Sequence, residues 1–205
     1  MKIGVNLVGI YKGPRNRNFN ITTESIFKNI INCWGEKPKI YITTYHSDED
    51  DELIQFYKPE KYQFLSFEGS NQRSTYIKSL EQLKNEDLDF IISTRFDINF
   101  FKKLSDFNID FNKTNFLFKE SNQGQDFTSD VLFCFPMKHL TPFINNLNFI
   151  FKNFSAKRRR NPSFNQHMHN MYYFLYKDIG KENINFMVDG DFNSSSNLFF
   201  ELKRN

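Results

Sequence analysis

Within Asp89 to Asn99, DFIISTRFDIN, an apolar run of Phe90, Ile91 and Ile92 delivers Arg95, Asp97 and Asn99 to the point where a buried strand would end. Open α/β sheets bind ligands at such carboxyl ends, because the backbone turns outward there and leaves a crevice. A carboxylate with a cation and an amide nearby suits one task in particular, holding a diphosphate. Magnesium-type sites recruit few protein carboxylates and let substrate phosphates complete the shell, so Asp97 with Asn99 would meet that need through a divalent ion.

The elements that must position these groups alternate. Ile3, Val5 and Leu7 form a first strand that runs to Gly9 and into a loop, Tyr11 to Asn20, rich in Gly, Pro, Arg and Asn. Thr23 is placed to cap a helix with Ile26, Phe27, Ile30, Ile31 and Trp34 on one face and Gly35 past its end. A second strand spans Lys39 to Tyr45. The acidic run Asp48 to Glu52 follows Ser47 and suits the positive end of a helix dipole, so it receives no catalytic role. A third strand, Tyr62 to Phe67, leads through Gly69 and Ser70 to a helix carrying Tyr76, Ile77, Leu80 and Leu83, and then to the strand at Phe90. Such alternation predicts an α/β, Rossmann-like mixed sheet, mostly parallel and flanked by helices.

Beyond residue 100 the pattern changes. Strands are expected at Phe116 to Phe118 and Val131 to Phe135, separated by a polar loop from Ser121 to Ser129. A long helix from Met137 to Phe154 and another from Phe164 to Tyr176 make the C-terminal third helix-rich, with short strands at Asn185 to Val188 and Leu198 to Leu202.

A chain of 205 residues reads as one domain, 1–205, with a core of ordinary apolar content. Its 26 Phe, its many Asn, Lys and Ile and its near lack of Ala look like the bias of an AT-rich genome, so a single Phe or Asn says little. A formal charge of +3 from 27 basic and 24 acidic residues is too balanced for a nucleic-acid coat. The local run Lys157 to Arg160 is the exception; as a solvated loop it needs no partner, and as a site it would meet the phosphate of an acceptor, a membrane surface or a nucleic acid. Cys33 and Cys134 are too few and too far apart for a zinc site or a disulfide framework, and read as buried thiols in a reducing compartment. The N-terminus lacks signal-peptide features and no window has the length of a transmembrane helix, so a soluble, cytoplasmic protein is expected and the Asn-x-Ser/Thr sequons carry no weight.

The chain has no phosphate-binding Gly-x-x-x-x-Gly-Lys-Ser/Thr loop, no dinucleotide fingerprint at Gly4 and Gly9, no Gly-x-Ser-x-Gly elbow and no metalloprotease helix motif. Nucleotide hydrolysis on such a loop, hydride transfer and acyl transfer all lose ground.

Five segments together resemble one family: LVGIYKGPR (Leu7 to Arg15), KIYITTY (Lys39 to Tyr45), NQRSTYIKSL (Asn71 to Leu80), DFIISTRFDINF (Asp89 to Phe100) and SDVLFCFP (Ser129 to Pro136). They are similar to nucleotide-sugar-dependent glycosyltransferases of the GT-A fold, in a branch where Arg-x-Asp replaces the Asp-x-Asp motif. The resemblance covers roughly the first two thirds of the chain and is strongest at Thr-Arg-Phe-Asp-Ile. It implies a nucleotide-sugar-binding half, 1–100, and an acceptor-side half, 101–205. It further implies that Gly9 and Arg15 flank the nucleotide, that Thr43 lies near the base, and that Gln72, Arg73 and Tyr76 face the donor sugar or its diphosphate. Asp97 would take the place of the metal-touching second Asp, with Mn2+ or Mg2+ as cofactor. Arg95 stands where the first Asp would be, which would lessen the need for that ion by neutralising the leaving group directly.

The implied reaction moves a sugar from a nucleotide-diphosphate donor, a uridine diphosphate sugar being favoured, to a hydroxyl of a glycan, lipid or protein. An inverting enzyme needs a base within reach of that hydroxyl; Asp130 is the candidate and Asp126 the second choice. A retaining one would use Asp130 to contact donor or acceptor hydroxyls. His167 and His169, two apart on a predicted helix, point in different directions, so at most one joins a metal site, and packing is the simpler role. Two other classes compete. A metal-dependent nuclease or nucleotidyltransferase would place clustered acids in the first two strands, which carry none, so no nucleic-acid partner is expected. A non-catalytic carbohydrate-binding module on a transferase scaffold would bind sugar without turnover.

Overall fold

The computed structural model describes residues 1–11, 19–68, 71–122, 125–157, 171–188 and 199–202. Its centre is a seven-stranded sheet built from β1 (Ile3–Val8), β2 (Lys39–Tyr45), β3 (Lys61–Leu65), β4 (Phe90–Arg95), β6 (Thr114–Phe116), β9 (Leu132–Pro136) and β10 (Ile184–Phe186). The order across the sheet is β10-β6-β9-β4-β1-β2-β3. β1 pairs in parallel with β2 and β4, β2 with β3, and β6 with β10, while β9 runs antiparallel between β4 and β6. The fold is therefore mixed α/β with a mostly parallel sheet.

β1 shows why the centre forms. All six of its residues are buried, as expected of a parallel strand covered on both faces. Ile3, Val5 and Leu7 face one apolar layer, with Ile26, Ile30 and Ile31 of α1 (Phe19–Ile26) and the turn after it, and with Leu53 and Tyr57 of α2 (Asp50–Tyr57). Val8 faces the other layer, with Tyr76 and Leu80 of α3 (Gln72–Glu81), Phe143 and Leu147 of α4 (Leu140–Lys157) and Leu175 of α5 (Met171–Ile179). Full burial of each such aliphatic side chain contributes about 1.5 to 3 kcal/mol.

On the α3 side, β1 also carries Asn6, fully buried, whose Nδ2 donates to Ser79 Oγ at 3.0 Å and Ser93 Oγ at 2.9 Å. One amide thus ties α3 to β1 and β4 and fixes the height of the helix over the strand ends.

Several expected boundaries shift. Thr23 lies inside α1 and is buried, so it does not cap the helix; α1 begins at Phe19 and continues as a π-helical turn, Phe27–Ile31. The polar stretch expected as a loop from Ser121 to Ser129 forms most of a hairpin, β7 (Lys119–Asn122) against β8 (Gln125–Thr128), because backbone pairing needs no apolar alternation. β5 (Ile98–Phe100), not anticipated, pairs antiparallel with β11 (Phe200–Leu202). The predicted long helix is realised as a 3-10 turn, Met137–His139, followed by α4. Cys134 is buried and Cys33 partly so; both thiols are free, and burial pushes both above the ordinary thiol range. Among the described residues, no helix is long and apolar enough to cross a membrane.

Candidate functional site

Three strands winding one way from β1 and then a return to β4 on its other side create a switch point between β1 and β4. Their carboxyl ends diverge there, which is where open α/β sheets leave a crevice. Val8 and Arg95 are register partners at those ends, and Phe96 N donates to Val8 O at 3.3 Å. Gly9 follows at once with φ +100°, a conformation that favours glycine, and its N–H donates to Thr43 O. Among the described residues, a Cβ at Gly9 would meet no atom within 4 Å, so none of them closes the space over this turn.

Alternation along β4 turns Ser93 and Arg95 toward α3, while Phe90, Ile92 and Phe96 enter the opposite apolar layer. Arg95 is nine-tenths buried and meets two carboxylates. Its Nε donates to Asp97 Oδ1 at 2.8 Å and its Nη2 to Asp97 Oδ2 at 2.6 Å, a bidentate fork, and its Nη1 donates to Asp130 Oδ2 at 3.1 Å. Burial opposes the guanidinium charge, but Asp97 and Asp130 more than offset it and hold Arg95 above its ordinary range.

Asp130 reaches this place because β9 is antiparallel. Leu132 pairs with Thr94, so the residues just before β9 lie beside the end of β4. The N-terminus of α3 approaches the same carboxylate: Gln72 Nε2 donates to Asp130 Oδ2 at 2.8 Å. Asn71 caps that helix, its Oδ1 accepting from Ser74 N while Ser74 Oγ accepts from Asn71 N, so Gln72 sits on a fixed first turn at the positive end of the helix dipole.

Tyr76, one helical turn after Gln72, is almost wholly buried, and its hydroxyl has no hydrogen-bond partner among the described residues. Burial raises that phenol far above its ordinary range; nearby Arg95 acts the other way, and Asp130 and Asp97 add to the rise. Arg73 is buried as well. The helix thus presents Gln72 and Tyr76 to the cluster, as their i, i+4 spacing requires.

Other expected residues are placed elsewhere. Thr43 is fully buried, and its hydroxyl accepts from Gln63 Nε2 and Gln82 Nε2, both at 2.9 Å, so it is committed to packing β2 against β3 and α3. Asn99 lines a cleft between α1 and β5 whose walls include neither Arg95 nor Asp97. Arg15, His167, His169 and Arg158 to Arg160 lie outside the described residues, Lys157 ends α4, and Asp126 sits in β8.

As a home for a divalent ion this donor set fits poorly. Both oxygens of Asp97 accept from the Arg95 fork and the residue is only 4% exposed, which leaves an ion little access, and Asn99 lines a different cleft. Among the described residues, no group of three or more His, Cys, Asp or Glu is arranged to hold a metal. What the cluster can do is hold the partly exposed Asp130 in one orientation beside an open turn at Gly9. Both of these partners of Asp130 lay beyond reading from sequence: Arg95 is 35 residues away and Gln72 58, and the three meet only because β9 runs back beside β4.

No protein-family model matches the chain, and no curated protein matches it.

Proposed function

We propose that the protein is a glycosyltransferase of GT-A type that moves a sugar from a nucleotide-diphosphate donor, a uridine diphosphate sugar being favoured, to an acceptor hydroxyl. The observation that carries this reading is the Arg95, Asp97, Asp130 and Gln72 cluster at the β1/β4 switch point, beside the open turn at Gly9. A mostly parallel sheet with one antiparallel strand, and the Arg-x-Asp resemblance on β4, support it further.

Glycosyl transfer develops positive charge on the sugar and negative charge on the departing diphosphate. In this reading the Gly9 turn admits the diphosphate by close backbone approach. Arg95 is the cation at the crevice, and Asp97 is a positioning residue that holds its fork. Asp130, aligned by Arg95 and Gln72, takes the acceptor proton in an inverting reaction. Preorganised groups of this kind lower the barrier because they need no rearrangement as charge develops. No step is routed through a metal, since Asp97 is engaged by Arg95.

The test is thermal unfolding with uridine diphosphate, with other nucleoside diphosphates, and with Mn2+ or a chelator. Ligand at about 100 times its dissociation constant adds about 2.7 kcal/mol, an upward shift of roughly 5 to 11 °C for a chain of this size. The shift is expected with chelator present. No shift with any nucleotide would overturn the assignment, and release of free nucleotide from a donor sugar separates an enzyme from a binding module.

A further inference from the structure

A cleft lies away from the cluster just described. It has a volume of about 1080 Å3 and is walled by α1, the π-helical turn that extends it, β5 and the segment after β5. At the upper end of the size range for small-molecule pockets, it suits an oligomer better than a single sugar ring.

Its construction is specific. Ser25 Oγ donates to Phe100 O at 2.9 Å and Asn29 Nδ2 donates to the same oxygen at 2.6 Å, so two buried side chains of the helix lock it against β5 and fix the cleft floor. The π-turn Phe27–Ile31 widens the helix where it lines the cleft, a distortion found frequently at functional sites. Phe56 and Phe101 stay 45% and 49% exposed at the cleft, and Phe27 meets Phe56 edge to face at 5.5 Å. Large apolar rings left in water beside a cavity offer a platform for an apolar ligand face. Lys28, Lys102 and Lys103 share the lining with the amides of Asn32 and Asn99, against the two carboxylates Glu24 and Asp106.

We infer that this cleft binds an anionic oligosaccharide, one bearing uronate or phosphate groups. The C–H faces of sugar rings pack on Phe56 and Phe101, hydroxyls exchange hydrogen bonds with the amides and carboxylates, and the lysines take the negative groups. A lipid surface fits less well, because the cleft is concave and places Glu24 and Asp106 where anionic headgroups would lie. Asn99 is two residues from Asp97, so the cleft begins where the candidate active site ends along the chain. Only the naming of this glycan as the acceptor rests on the transferase reading; the binding does not.

The experiment titrates the full chain with hexagalacturonate, with neutral maltohexaose, and with vesicles of phosphatidylcholine and phosphatidylglycerol, following amide shifts by NMR. Saturable binding of hexagalacturonate, with shifts at α1 and β5, is expected. Lys28→Glu and Phe101→Ala should each weaken it about tenfold or more, as loss of a charged or stacking partner does. Both positions are partly or largely exposed, so each variant can be checked for an unchanged melting curve, and Gln72→Ala should bind the glycan as the parent does. Binding that ignores Lys28→Glu and Phe101→Ala, equal binding of maltohexaose, binding to vesicles alone, or no saturable glycan binding would overturn the inference. Uridine diphosphate titrated in parallel reports on the other site, so a failure of either reading is seen separately.

Discussion

Replacing Arg95 with Met tests the organisation of the site most directly. The substitution keeps an apolar stem of similar length but removes the fork that satisfies Asp97, a carboxylate only 4% exposed. Breaking a buried pair by deleting one partner costs about 3 to 5 kcal/mol, because the remaining charge is stranded. At about 2 to 4 °C per kcal/mol for a chain of this length, the melting temperature should fall by roughly 6 to 20 °C at pH 7. Adding Asp97→Asn removes the charge and should restore part of the stability, a coupling that urea denaturation of both singles and the double would measure. A loss below about 1 kcal/mol, or additivity of the two substitutions, would refute the claim that Asp97 exists to hold Arg95.

Asp130→Asn should lower transfer by about 10²- to 10⁴-fold, the usual contribution of a general base, while uridine diphosphate binding changes far less; an unchanged rate would remove Asp130 from the chemistry. Gly9→Ala forces a side chain into φ +100° and should cost about 1 to 3 kcal/mol by urea denaturation, although none of the described residues stands in the way of the added methyl; a neutral effect would mean the turn can relax. His139 is buried, with Nδ1 3.0 Å from Thr114 Oγ1, and burial, helped by Lys138, lowers its pKa. The unfolded chain then binds the proton more readily, so stability should fall as pH drops below about 6.5, and His139→Gln should flatten that slope in denaturation curves taken from pH 7 to pH 5.

The sequence by itself determined the strands that bury both faces or alternate cleanly. β2 is observed at Lys39–Tyr45 as its pattern requires, and β1 and β4 lie where their apolar runs predict, because local periodicity and burial report the same thing. The place of Arg95 and Asp97 at the end of a buried strand was legible for the same reason, whereas Gln72 was reached only through the family resemblance. Elements held by long-range pairing were not: β5 has three residues, and the β7 and β8 hairpin carries no alternation to read. The resemblance puts Thr43 near the base, but its partners Gln63 and Gln82 are 20 and 39 residues away, and only packing reveals that they cover it. Tertiary structure alone decided the use of the Arg-x-Asp motif. Spacing of two residues allowed Asp97 to face a ligand or its neighbour; only the fold shows it buried and held by the Arg95 fork, as a carboxylate withdrawn from water needs a charged partner.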